Sequence, residues 1–175
     1  GMGLLGRYTL LAGGARGHLG KQLIADFNLA SPAQPQHYAI GFKELWQLPA
    51  GQGKAGQVLH GSGWPLGKQG GGNSHGGFYL YHMEGDQVAV GLIVDLNYQN
   101  PWLSPFDEFQ RLKHHPLIAG VLQDGERISY GASAITKGGW TAMPRMHFPG
   151  GLMIGCDAGT LDFSSIKGIK PDMQS

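Results

Sequence analysis

Eight histidines invite a metal-centred reading, because imidazole is the commonest nitrogen ligand. Their spacing points elsewhere. His114 and His115 are adjacent and on a helix would project about 100° apart. His18, His37, His60, His75, His82 and His147 fall in no ligand motif, so all eight read as structural or surface groups and no metal site is expected. The one cysteine, Cys156, allows no intrachain disulfide and no cluster or zinc site built from this chain's thiols, which suits a reducing compartment. Neither Cys156 nor any serine sits in a nucleophile elbow, and Cys156 reads as a small buried residue at a strand end. Asp95, Asp107, Glu108 and Asp124 could include a general acid or base, yet each has an ordinary explanation as a turn, a cap or a solvated face. No catalytic residue is assigned.

The glycines carry a different chemistry. There are 31 of them, without a collagen period and beside clear apolar runs, so they mark turns and close backbone approaches rather than disorder. "LLAGGARG" and "LMIGCDAG" are apolar strands, far apart in sequence, that each close on a turn where a ligand can lie against bare peptide amides. Two such ends side by side would flank one flat cofactor. Glycine turns follow strands in any α/β protein, so the pattern is suggestive only. "NPWLSPF" holds bulky apolar groups at a turn: Trp102, Leu103 and Phe106 either pack into the core or form an apolar lip that dips into a membrane interface.

These residues need elements to hold them. Tyr8 to Ala12 reads as a buried strand entering the turn "GGARG", and "HLGKQLIADFNL" as a helix with Leu19, Leu23, Ile24 and Phe27 on one face. That imitates half of a dinucleotide unit, but the glycine spacing is wrong for the phosphate fingerprint. "YAIGFKELWQL", "GQVLHGSGWPL", "GFYLYHM" and "QVAVGLIVDL" are expected strands of an antiparallel sheet, the last two joined in a hairpin at Glu84 to Asp86. "GKQGGGNSHGG" reads as a flexible loop with a mobile tip. Ser104 as N-cap, Pro105 at the first helical position and Asp107 in the first turn start a helix whose buried side carries Phe106, Phe109 and Leu112. Pro116 interrupts it, and "LIAGVL" continues for a turn or two. "RISYGASAIT" and "GGLMIGC" are further strands, and the last dozen residues resemble a helix cut off in mid-course. The class is α+β, mainly an antiparallel sheet covered by helices, with strand-turn-helix pieces at both ends.

Composition limits the partners. The length suits about one domain. Charged residues are only 14% and the net charge is +1, so no electrostatic footprint for nucleic acid exists. No apolar run approaches the roughly 18 residues that suggest a spanning helix, and no signal peptide is visible. The opening "GM" reads as a cloning remnant.

Three strings, "SPFDEFQRLKHHP", "RISYGASAITKGGW" and "FPGGLMIGCDAGTLDFSSIKGIKPDM", resemble the electron transfer flavoprotein-ubiquinone oxidoreductases, over nearly the whole chain and in that family's order. In the family they lie within a much longer protein, so the chain is expected to be an internal segment: 1–36 and 148–175 as parts of an FAD-binding domain, 37–147 as the ubiquinone-binding domain. The resemblance implies an enzyme that takes electrons from reduced electron transfer flavoprotein, passes them through a 4Fe-4S cluster and FAD, and delivers them to ubiquinone. The isolated segment would be inactive and hold no cofactor itself. It implies FAD contacts at Gly13, Gly14, Gly155, Cys156, Asp157, Lys167, Gly168 and Ile169. It implies that Gly76 and Gly77 offer backbone groups to a quinone carbonyl, with Phe78, Tyr79 and Leu80 in the slot or the sheet behind it. A neutral, flat ligand suits one or two directed hydrogen bonds in an apolar slot. It also implies peripheral attachment to the cytoplasmic face of a bacterial inner membrane, or the mitochondrial inner membrane in a eukaryote, which strengthens the lip reading of Trp102, Leu103 and Phe106. The sequence departs from the family pattern at Gly13, usually acidic, at Phe78, usually small, at Asp157, usually serine, and in the long "KQGGGNS" loop. The alternatives are a related geranylgeranyl reductase or aromatic hydroxylase, or a stand-alone lipid or quinone carrier.

Overall fold

The computed structural model describes residues 3, 5–15, 17–31, 33–67 and 74–161. The glycine-rich loop over 68–73 and the expected terminal helix, with Lys167, Gly168 and Ile169, lie outside the described residues. The class is α+β, and the chain forms two compact units. One combines residues Gly1–Tyr38 with Ala134–Ser175; the other is Ala39–Ser133. Residues 134–147, placed with the central domain on sequence grounds, group with the chain ends.

The terminal unit holds a three-stranded sheet. β1 (Thr9–Leu11) pairs in parallel with β8 (Gly151–Met153), which pairs antiparallel with β7 (His147–Phe148). α1 (His18–Asp26) follows β1. It is shorter than the periodicity suggests because Asn28 adopts a left-handed φ of 48°. The Asn28 amide then bonds the Ala25 carbonyl at 3.2 Å, and the Leu29 amide bonds that of Ile24 at 2.9 Å. This paired closure of a helix C-terminus folds Leu29 back, and Leu29 becomes fully buried with Leu11, Met153 and Ala158. Leu23 and Ile24 pack on that cluster, whereas Leu19 is largely exposed. β1 is likewise buried only at Leu11, with Tyr8 and Leu10 outside. The chain leaves and re-enters this unit side by side, since the Lys137 amide donates to the His37 carbonyl at 2.8 Å.

The central sheet runs β3-β4-β5-β2-β6, from β2 (Tyr38–Gln47), β3 (Val58–Ser62), β4 (Gly76–His82), β5 (Gln87–Asp95) and β6 (Glu126–Thr136). The β4–β5 hairpin turns over the three residues Glu84 to Asp86, closed by the Met83 amide on the Gln87 carbonyl at 2.7 Å, with Gly85 and Asp86 at positive φ. Register places Phe78, Leu80 and His82 on one face with Val88, Val90, Leu92 and Val94 of β5 and with Ile40, Phe42, Glu44 and Trp46 of β2. α2 (Pro105–Lys113) and α3 (Pro116–Leu122) cover that face through Phe109, Leu112 and Ile118, all 2% exposed or less. Each such side chain contributes on the order of 2 kcal/mol by burial, far more than any surface pair can. Ser104 caps α2, its hydroxyl accepting the Asp107 amide at 3.3 Å, and His115 caps α3, its Nδ1 accepting the Leu117 amide at 3.3 Å.

One charged group lies under the helices. Glu44 is 3% exposed and accepts from Lys113 Nζ at 2.9 and 3.0 Å, Arg127 Nη1 at 3.1 Å and Trp46 Nε1 at 2.9 Å. Lys113 also lies 5.6 Å from the Trp46 ring and 5.3 Å from that of Phe109. Burial of the carboxylate is tolerated because its lone pairs are taken by these donors.

Candidate functional site

Two glycine sites stand out, one in each unit, and each is built by a close backbone approach. In the central unit, β3 ends at Ser62 opposite Gly77, so Gly76 has a strand neighbour on the β5 side only. Its missing side chain is required: a Cβ there would meet the Ile93 carbonyl oxygen and the Leu66 side chain. At Gly77 a Cβ would meet only the Gly61 oxygen, at 2.9 Å. Both glycines are half-buried. Above Gly76 sits the turn 63–67, which presents the buried Leu66. Trp64 of this turn lies 5.3 Å from the His115 ring and 5.8 Å from the Arg111 guanidinium.

Phe78 belongs to the core side of β4. Its ring covers Gly61, its partner across the strand pair, and packs on the core cluster. On the opposite face Tyr79 covers Gly91 and stacks on Tyr81 with ring centroids 4.6 Å apart. Burial, with Tyr81 beside it, pushes the Tyr79 phenol above its ordinary value. The neighbourhood of Gly76 thus joins apolar and aromatic groups to peptide edges, with buried Ser74 and Asp95 close by, and its apolar part suits a flat neutral ligand with carbonyl acceptors.

The turn 100–106 divides. Trp102 is 91% exposed and Phe106 53%, while Leu103, expected with them at a lip, is only 6% exposed and belongs to the core. The Asn100 side chain accepts the Trp102 amide and its carbonyl the Leu103 amide, a tight turn that throws Trp102 out and Leu103 in. Phe106, expected on the buried side of α2, is half out, with its ring 6.2 Å from Phe42.

In the terminal unit the ends of β1 and β8 are adjacent, Leu11 beside Met153, and the Ile154 amide donates to the Leu11 carbonyl at 2.9 Å. Gly13, Gly14, Gly155, Cys156 and Asp157 therefore come together. The Asp157 carboxylate accepts the Gly13 amide at 2.9 Å and fills a bay left by glycines. A Cβ on Gly17 would lie 2.9 Å from Asp157 Oδ1, and one on Gly20 would overlap the carboxylate. Nothing lies within 4 Å of a Cβ placed on Gly14, whose φ is +77°. An FAD polyol chain fits this site, since its hydroxyls can bond a carboxylate and peptide groups. A phosphate does not, because the start of α1 already faces an anion. A four-iron cluster does not fit the chain either, which has one thiol.

Sequence reasoning missed the bay and the Glu44 cluster. The spacing of Gly13, Gly17 and Gly20 is the one available signal for the bay; Glu44 lies 69 and 83 positions from its cations and gives none.

Residues 38–135 match the family described as ETF-QO, ubiquinone-binding. The chain is 55% identical over 175 residues to an electron transfer flavoprotein-ubiquinone oxidoreductase of Pseudomonas aeruginosa, covering all of this chain and 31% of that protein. Its identity to the human mitochondrial protein of that name is 48% over 177 residues, again covering all of this chain and 28% of that protein. The chain thus spans about a third of these relatives. Among solved structures, a geranylgeranyl bacteriochlorophyll reductase-like protein of Thermoplasma acidophilum shares the fold at a TM-score of 0.68 and 13% identity, covering 96% of this chain and 38% of that one. The flavin-dependent brominase Bmp2 does so at 0.58 and 12%, covering 96% and 40%.

Proposed function

Because the chain belongs to the electron transfer flavoprotein-ubiquinone oxidoreductase family, we propose that it is the part of such an enzyme that docks ubiquinone and contributes to the flavin site. The observation that carries this reading is the half-buried glycine pair at the start of β4, where Gly76 has a strand on one side only and apolar groups around it.

Peptide groups at Gly76 and Gly77 orient a quinone carbonyl, and Leu66 and Phe78 exclude water from it. At the other site, Gly13, Gly14, Gly155, Cys156 and Asp157 hold the polyol part of FAD through the Asp157 carboxylate and backbone groups. When bound, FAD supplies the redox step; this chain sets distance, polarity and access. In the whole protein the donor is reduced electron transfer flavoprotein, with a 4Fe-4S cluster carried by residues beyond this sequence. Trp102 and Phe106 touch a membrane surface, at the cytoplasmic face of a bacterial inner membrane or at the mitochondrial inner membrane. No helix among the described residues is long and apolar enough to cross one.

The test is Gly77→Ala in the full-length protein, assayed with electron transfer flavoprotein as donor and a soluble ubiquinone analogue as acceptor. The added methyl meets the Gly61 oxygen at 2.9 Å on the strand face away from the core, so the backbone at the quinone site must shift. The expected result is a KM for quinone raised about tenfold, as loss of one oriented hydrogen bond implies, with flavin reduction by the donor unchanged. An unaltered quinone KM refutes the assignment.

A further inference from the structure

At the far end of β4 from the glycine pair, six residues or about 20 Å along the strand, the central unit has a second recess. A cleft of about 340 Å³ opens between the β3–β4 strands, the loop before β3, and α3. Its floor is apolar, from Leu59, Leu80 and Val121, and half-exposed Leu117 and Val58 carry that surface to the rim.

Its polar lining is Gln52, Lys54, Gln57 and His82, of which His82 and Lys54 give it direction. His82 is only 6% exposed, lines the cleft, and accepts the Lys54 amide on Nδ1 at 3.2 Å. That bond fixes the neutral tautomer with its proton on Nε2, which makes the ring a hydrogen-bond donor at the cleft. Lys54 stands exposed at the same mouth and has no ion pair among the described residues. An N–H donor at a cleft suits an acceptor atom on a ligand. An unpaired ammonium beside it selects an anion.

We propose that this cleft is a binding site for a carboxylate-bearing amphiphile of short to medium chain length. The carboxylate accepts from His82 Nε2 and pairs with the Lys54 ammonium, while the alkyl chain lies on Leu59, Leu80 and Val121. The volume falls at the lower end of the range for small-molecule sites. An uncharged quinone has no use for Lys54, and a phosphate has no use for the leucine floor; the pair of features fits one class.

The test is calorimetric titration of the full-length protein with octanoate, 1-octanol and acetate as separate probes. Octanoate is expected to saturate one site, with octanol and acetate each at least about tenfold weaker, since each lacks one of the two contributions. Lys54→Gln, a surface change that leaves folding intact, weakens octanoate about tenfold and leaves octanol unchanged. Val121→Trp fills the cleft and removes binding. Octanoate that fails to saturate, that binds no better than octanol, or that is indifferent to Lys54→Gln overturns the proposal.

Discussion

Gly20→Ala should destabilise this protein although alanine is the better helix former, and the sign should reverse when Asp157 is removed. Gly20 is buried in the first turn of α1, where Ala over Gly contributes about 1 kcal/mol in favour of the helix. Its new methyl, however, lands on the Asp157 carboxylate, which must swing out of the bay and lose the Gly13 amide. A hydrogen bond to a charged acceptor is worth about 1.5–3 kcal/mol. The single change therefore costs about 0.5–2 kcal/mol net. In an Asp157→Ala background the three atoms nearest the new methyl are gone, and Gly20→Ala stabilises by about 1 kcal/mol. The coupling between the two positions is then about 1.5–3 kcal/mol, well above the scatter of independent sites. Urea midpoints of the four proteins in the cycle measure it. If Gly20→Ala stabilises equally in both backgrounds, the carboxylate does not occupy the bay.

Glu44→Gln leaves half-buried Lys113 with half its partner gone and should lower stability by about 2–3 kcal/mol, less than the ~3–5 expected for a broken buried pair because Lys113 keeps some solvent contact and the Trp46 and Phe109 rings still face the ammonium. Lys113→Met in the same chain should recover most of that loss in a urea titration, whereas Arg127→Ala, at a side chain 45% exposed, should cost under about 1 kcal/mol. Burial, helped by the Lys54 ammonium, holds His82 below its ordinary value of 6.5. The unfolded chain therefore binds the proton first, and the stability from neutral His82 is complete above pH 6.5 and drains away as pH falls from there toward the lowered value. His82→Gln should flatten that slope in a pH series of melting temperatures. Asp86, held low by the Gly51 and Gly53 amides, acts in a separate window below 3.8.

Local signals were legible wherever the chain itself closes the interaction. The Gly85-Asp86 hairpin, the Ser104-Pro105 helix start and the break at Pro116 all rest on residues within four positions of one another, and the structure has each. The neighbouring ends of β1 and β8, suggested by two glycine turns, are likewise present. Burial was read less well. Trp102, Leu103 and Phe106 look alike in sequence, and only the turn at Asn100 decides which points inward. Leu29 looked like the last helical residue and is a core anchor, because Asn28 reverses the backbone before it. Asp157 looked like a ligand contact at a strand end; its direction, into glycines 13, 17 and 20, depends on a pairing 144 positions long.

The amide-carbonyl link between Lys137 and His37 makes the middle of this chain detachable in principle. Since the two crossing points already touch, a turn of a few residues joining them would close the host with little added loop entropy. A lineage can therefore graft, enlarge or discard the inserted sheet while the grafting point stays as it is.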